Sequence, residues 1–177
     1  MIPIPTRQLL LLRHAKSSRE DPTLADFDRP LAPRGQKDAP RMGTEIATRD
    51  WLPHLALVSP SARTRETWQL ASADWPKPLP QVAFPEILYG ASADDLLVLA
   101  RSVPDNIGTL LMVGHNPGFE DFARQLASPG SNAEAQRLVE DKFPPAALAR
   151  FAFEGVWGDL GFVAARLTHC LRPKNLG

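Results

Sequence analysis

Residues 8–14 read Gln-Leu-Leu-Leu-Leu-Arg-His, a short apolar run that ends at two basic side chains. An apolar run of this length, bounded by polar residues, predicts a buried β-strand over residues 8–12. Arg13 and His14 then stand where that strand ends. The first question is whether other strands end in the same way.

Two later runs follow the same plan. Residues 55–58 are apolar and lead into Ser59, with Arg63 just beyond, and residues 109–113 lead into Gly114 and His115. In α/β sheets, ligands bind beyond the carboxyl ends of the strands, so three such ends can converge on one pocket.

Helical patterns separate these strands, and the alternation predicts an α/β fold. We expect a three-layer sandwich in which a mainly parallel central sheet is flanked by helices. The predicted helices are 34–50, where Pro40 should kink or shift the helix, 61–73, 92–102 and a segment after Gly118 to about 127. Further predicted strands are a short edge strand at 81–84 and a final hairpin from 146–153 and 161–167, while 128–142 receives no assignment.

Composition narrows the class of protein. The chain has 177 residues, which fits one domain over 1–177, with 44% hydrophobic residues and equal numbers, 20 each, of basic and acidic residues. Near-zero net charge argues against a nucleic acid or a membrane as partner. The single cysteine, Cys170, excludes an internal disulfide, and no signal peptide precedes the first strand, so we expect a cytoplasmic protein.

The polar groups at the strand ends favour an anion. Arginine supplies permanently charged, forked donors that match phosphate, and histidine can act as nucleophile, acid or base. Each residue alone is more often structural, but Arg13, His14, Arg63 and His115 recur at three strand ends, and their motifs contain no carboxylate that would neutralise Arg13 or His115. The pattern predicts a phosphoryl site.

Two other kinds of site have weaker support. A zinc site would use His14 and His115, but Cys170 is alone and neither an HxH nor a CxxC spacing occurs. Glycine-rich phosphate loops of the GxGxxG or GxxxxGK[ST] type are absent from the sequence. We therefore expect no metal and no cofactor.

Three motifs, in this order, resemble the histidine phosphatase superfamily, whose members include phosphoglycerate mutases and acid phosphatases. Residues 11–17 (LLRHAKS) resemble its RHG motif with Ala15 in place of the usual glycine, 59–67 (SPSARTRET) its SPxxRxxxT segment, and 114–118 (GHNPG) its second histidine motif. Residues 26–35 and Leu88-Tyr89 are similar to the short SixA-type phosphohistidine phosphatases.

The resemblance implies roles for these residues. His14 would be the nucleophile that carries the phosphoryl group, and Arg13, Arg63 and His115 would bind its oxygens and stabilise the transition state. Lys16 and Ser17 would add substrate contacts. His14 must attack in its neutral form, so a neighbour, such as a backbone carbonyl, has to orient its other nitrogen.

A general acid is harder to place. Glu86, just before Ile87-Leu88-Tyr89, is the natural candidate for protonating a leaving oxygen, and the alternative is an exposed loop carboxylate. Asp26, Asp28 and Arg29 could line the pocket, although loop capping is the commoner use of such acids.

The resemblance favours protein phosphohistidine as substrate, because the chain has little room for insertions that would cap the pocket. A small-molecule phosphomonoesterase is the alternative enzyme, and a functional Glu86 would favour it. A non-catalytic phospho-binding module is the alternative outside enzymes.

Overall fold

The computed structural model of the protein describes residues 2–177 and has a six-stranded sheet at its centre. In spatial order the sheet runs β3-β2-β4-β1-β5-β6. The first four of these strands are mutually parallel, and β5 runs antiparallel to both β1 and β6. The strands are β1 (Thr6–Arg13), β2 (Leu55–Val58), β3 (Gln81–Ala83), β4 (Thr109–Gly114), β5 (Leu148–Glu154) and β6 (Arg166–Leu171).

Helices cover both faces of the sheet, as a three-layer sandwich requires. Those of the described chain are α1 (Pro33–Thr48), α2 (Ala62–Ser72), α3 (Ala93–Arg101), α4 (Gly118–Leu126) and α5 (Ala133–Asp141). Across residues 2–177, no helix combines the length and the apolar character needed to cross a membrane.

Alternate residues of β1 serve two separate cores. Leu9 and Leu11 pack with α3, α4 and α5, whereas Leu10 and Leu12 pack with α1 and α2, and all four leucines are fully buried. A strand covered on both faces needs apolar side chains at every position, which explains the uninterrupted run in the sequence. The predicted α/β sandwich with a mainly parallel sheet is confirmed.

Two parts of the chain differ from the sequence-based expectation. The unassigned stretch contains α5, whose first turn is capped by the Asn132 side chain accepting from the Ala135 amide. The prediction of a strand over 161–167 was wrong, because β6 begins only at Arg166. Residues 161–165 form the approach to β6 instead, and Val163 there has a positive φ of 60° that a strand cannot hold.

Pro40 lies inside α1, which continues as one helix from Pro33 to Thr48. Of the remaining predicted elements, β2 has the predicted bounds, and the others, including the short edge strand β3, are present with shifted ends. The final two strands are antiparallel neighbours, but eleven residues separate them, so they do not form a tight hairpin.

The sheet register places three strand ends side by side. Arg13 pairs with Gly114 across β1 and β4, and Val58 pairs with Val113 across β2 and β4. Residues that follow these strands therefore leave the sheet at the same edge. This register therefore places the three motifs next to one another, as the sequence predicted.

We predict that Gly43→Ala destabilises the protein by about 2 kcal/mol, as overpacked interiors commonly do. A Cβ at Gly43 would lie 1.9 Å from the Ala71 carbonyl oxygen, so α1 and α2 would have to move apart. Urea unfolding measures the change. Gly130→Ala is the matched control, because a Cβ there meets nothing within 4 Å. Equal stabilities of the two variants would contradict the close helix contact.

Candidate active site

His14 leaves the end of β1 with its ring oriented by the backbone. Its Nδ1 lies 2.7 Å from the Ala15 carbonyl oxygen, and the residue is only 7% exposed. A carbonyl oxygen can only accept, so Nδ1 carries the hydrogen of the neutral ring. The lone pair therefore resides on Nε2, and Ala15 supplies the orienting carbonyl that the sequence left unidentified.

Ala15 is itself fixed by the second motif. It is fully buried, and its amide donates to Thr67 Oγ1 at 3.0 Å. Thr67 in turn donates to the Arg63 carbonyl oxygen at 2.7 Å. The hydroxyl of one α2 residue thus ties the His14 loop to the turn of helix that carries Arg63.

His115 follows β4 and faces His14, with the two ring centroids 5.3 Å apart. Arg63 Nη2 lies 3.3 Å from His115 Nδ1, and arginine can only donate. Nδ1 is therefore the acceptor, and Nε2–H donates to Ser59 Oγ at 2.7 Å. Ser59, the first residue of the second motif, positions His115, a contact that the sequence analysis did not assign.

The two arginines are held by different partners. Arg13 Nη1 donates to the Phe143 carbonyl oxygen at 3.0 Å, and Arg63 Nη1 donates to the Asp26 carbonyl oxygen at 2.6 Å. Both Nε atoms are buried and lack a hydrogen-bond partner among the described residues, as do those of Arg7, Arg150 and Arg172. What distinguishes Arg13 and Arg63 is their position beside the two histidines, where two guanidinium groups fit a site that receives an anion.

Burial and neighbouring cations keep both histidines neutral. Burial, together with the charges of Arg63 and Arg13, lowers the pKa of His14 to about 3 against the opposing effect of the Ala15 hydrogen bond. Burial and Arg63 likewise lower the pKa of His115 to about 4, with Arg13 adding to the shift and Asp26 opposing it. Burial also lowers the pKa of Arg13. The site combines fixed guanidinium charges with uncharged imidazoles.

Asp26 reaches the site from the loop between β1 and α1, so of the two uses predicted for it, pocket lining and loop capping, it has the first. Its Oδ2 lies 3.0 Å from Arg63 Nη2 and accepts a hydrogen bond from the Tyr89 hydroxyl at 2.7 Å. The hydrogen bond from Tyr89, followed by those from Arg29 and Arg63, holds the pKa of Asp26 well below its usual range. A carboxylate thus does reach Arg63, from outside the three short motifs.

The other predicted site residues lie further out. Ser17 Oγ accepts from Arg29 Nη1 at 3.0 Å, and Lys16 is exposed. Glu86 is exposed on the 3-10 turn Glu86–Leu88, and among the described contacts its carboxylate touches no residue of the site. Asp28 is exposed. The structure therefore brings Arg13, His14, Arg63 and His115 together, while the roles of Lys16, Ser17 and Glu86 stay predictions.

The described chain contains no metal-binding group, and a cleft at another edge of the sheet lies apart from the predicted site residues. Over residues 2–177, no group of three or more His, Cys, Asp or Glu side chains is arranged to hold a metal ion. A cleft of about 490 Å³ opens at the opposite edge of the sheet, between Leu52–His54 and residues 75–81, and contains none of the predicted site residues.

Comparisons with known proteins agree with the motifs. The family model described as histidine phosphatase superfamily (branch 1) matches residues 9–94. An uncharacterized protein of Mycobacterium tuberculosis is 35% identical over 150 residues, covering 84% of this chain and 91% of that protein. An uncharacterized protein of Mycobacterium leprae is 33% identical over 166 residues, covering 92% of this chain and all of the relative.

Solved structures extend the similarity over the whole fold. The SixA protein of Nakamurella multipartitia has a TM-score of 0.84 and 27% identity, covering 97% of this chain and 99% of that chain. The SixA protein of Agrobacterium tumefaciens has a TM-score of 0.78 and 26% identity, covering 97% and 100%. The chain therefore belongs to the histidine phosphatase superfamily, as a SixA-like phosphatase.

Proposed function

We propose that this protein is a metal-independent phosphohistidine phosphatase that takes the phosphoryl group of a phosphorylated protein onto His14 Nε2. The observation that carries the proposal is the hydrogen bond between His14 Nδ1 and the Ala15 carbonyl oxygen, at 2.7 Å. It leaves Nε2 neutral and unprotonated beside the Arg13 and Arg63 guanidinium groups, which is what a nucleophile for phosphate needs.

The reaction proceeds by two in-line displacements. In the first, the Nε2 lone pair forms a bond to phosphorus while the substrate's N–P bond breaks, and the departing imidazole nitrogen takes that electron pair and then a proton from solvent. In the second, water attacks phosphorus, His14 Nε2 leaves with its electron pair, and inorganic phosphate is released. Arg13 and Arg63 stabilise the charge on the equatorial oxygens in both steps, and His115, whose Nδ1 accepts from Arg63 and whose Nε2–H donates to Ser59, adds a donor once Nδ1 takes up a proton.

The leaving group decides between substrates. An alkyl phosphate ester needs a proton on its leaving oxygen, whereas phosphohistidine has a labile N–P bond and a nitrogen leaving group. Asp26, the carboxyl group held against Arg63, has a pKa far below its usual range and is ionised at neutral pH. It has no proton to give, which favours phosphohistidine over an alkyl ester.

Relatives support the same substrate. The two SixA structures at 27% and 26% identity are named as candidate phosphohistidine phosphatases. A third, the protein histidine phosphatase SixA complexed with tungstate, has a TM-score of 0.74 at 17% identity and so supports the fold alone.

We predict that His14→Ala lowers the turnover of a phosphohistidine peptide at least about 10³-fold, because the covalent route loses its nucleophile. Phosphate release is measured in EDTA, where the wild type should keep its full rate. His169→Gln is the matched control, since His169 lies outside the site against Trp51. A rate that persists in His14→Ala, or that EDTA abolishes in the wild type, contradicts the mechanism. Phosphopeptide binding without turnover would instead identify a phospho-binding module.

A second prediction concerns the protonation of the nucleophile. Because the pKa of His14 is lowered to about 3, its ring should stay neutral as the pH falls from 8 to 5, whereas an ordinary histidine would become charged near pH 6.5. Imidazole 15N shifts report this directly, and the signal missing from the His14→Gln spectrum assigns the residue. A His14 that titrates near 6.5 would show that its surroundings do not hold it neutral.

Glu86 provides a test of the alternative ester activity. If its carboxyl group protonates a leaving oxygen, Glu86→Gln should lower turnover of an alkyl phosphate by about 10²-fold or more while sparing a phosphohistidine peptide. Parallel rates with glycerol phosphate and the peptide make the comparison. Glu140→Gln, an exposed carboxylate on α5, is the control. Unchanged ester turnover removes Glu86 from the mechanism.

A further inference from the structure

A second cluster of positive charge lies beside the site, in a cleft of about 280 Å³. Four cationic side chains line it, each exposed and each from a different part of the chain: Lys16, Arg34, Lys142 and Lys174. We call this cleft the cationic groove. In a chain whose basic and acidic residues balance at 20 each, it is a local concentration of charge.

The charges of the groove are poorly neutralised. No aspartate or glutamate lines it, and its three lysines form no ion pair within residues 2–177. Arg34 has one ion pair, with Asp38, at a long 3.4 Å. The groove's fifth basic residue, Arg172, is different, since it is 2% exposed and bound to Asp141 and to the Leu138 carbonyl oxygen. Arg172 therefore supports the wall, and the other four side chains face outward.

The groove adjoins the nucleophile. Lys16 is two residues after His14, a span of at most about 7 Å of extended chain. Pro144 and Pro145, which also line the groove, lead into Ala146, whose amide hydrogen-bonds the carbonyl oxygens of Arg13 and His14. A substrate segment that places its phosphohistidine at His14 can therefore extend into the groove.

The chemistry of the lining indicates the kind of ligand. Sites built for phosphate use backbone N–H groups and forked arginines, but three lining residues, Pro144, Pro145 and Pro173, have no N–H. Three of the four outward cations are lysines, whose ammonium groups are mobile point charges. Proline walls with lysine rims suit an extended polypeptide that carries carboxylate side chains.

We propose that the cationic groove binds an acidic segment flanking the phosphohistidine of the protein substrate. This inference rests on the proposed function for the position of the phosphohistidine, but the affinity of the groove for acidic polypeptide can be measured without any turnover. Attraction across a solvated groove of this kind weakens as salt screens it. Under this proposal Lys16 contacts the substrate through its flanking segment.

The test compares fluorescein-labelled, unphosphorylated peptides of equal length, one rich in glutamate and one with glutamine in its place, by anisotropy. We expect the wild type to bind the glutamate peptide at least about fivefold more tightly at low salt, and Lys142→Gln/Lys174→Gln to lose most of that preference. The matched control, Lys77→Gln/Arg166→Gln, removes two exposed charges elsewhere and should keep it.

Each of the other outcomes contradicts the proposed role of the cationic groove. The proposal is wrong if the wild type does not distinguish the peptides, if both double variants lose the preference equally, or if an oligothymidylate of similar charge binds the groove more tightly. A parallel assay gives kcat/KM for phosphohistidine peptides with the same two flanks. Turnover that does not depend on the flanking sequence would support the proposed function and contradict the role of the groove. A preference for the glutamate peptide without turnover would support the role of the groove and contradict the proposed function.

Discussion

The site depends on one short hydrogen bond, between His14 Nδ1 and the carbonyl oxygen of the next residue, Ala15. This bond selects the tautomer, and the tautomer decides which nitrogen keeps the lone pair that the proposed mechanism uses. A carbonyl of a mobile loop could not hold a ring in this way. Ala15 is fully buried and its amide is bound by Thr67, so the sheet and α2 together set the direction of the His14 ring.

Burial and electrostatics give the arginines and the histidines of the site different properties. Burial and the arginine charges lower the pKa values of His14 and His115 to about 3 and about 4, while the arginines keep their charge. The guanidinium groups thus supply the attraction for an anion, and the histidines keep the lone pairs. A phosphoryl dianion in the site would oppose the effect of Arg63 and Arg13 on His115 and so raise the pKa of His115.

The sequence predicted the parts of this arrangement that local pattern encodes. Apolar runs doubly covered by helices mark β1, β2 and β4, and the residues after them form the four-residue cluster. The same reasoning missed α5, which lies in a polar stretch and buries only Ala135 and Val139, and it placed the last strand too early. It also missed two contacts, that of Asp26 with Arg63 and that of Ser59 with His115. These pairs lie 37 and 56 positions apart in the sequence, so no local periodicity indicates them.

Among these contacts that of Asp26 matters most, because it holds the guanidinium that the proposed phosphate site would use. Its carboxylate and its carbonyl oxygen both accept from Arg63, so a phosphoryl group reaching that guanidinium competes with them. Under the proposed function the competition favours the phosphoryl group, since a dianion would face both Arg13 and Arg63, whereas the single charge of Asp26 is shared between Arg63 and Arg29 and lies largely in solvent, at 55% side-chain exposure. Tyr89, which donates to the same carboxylate, packs its ring against His115. Under the proposed function, a phosphoryl group on Arg63 would break one of the three contacts, with Arg63, Arg29 and Tyr89, through which the Asp26 carboxylate holds its loop against the site.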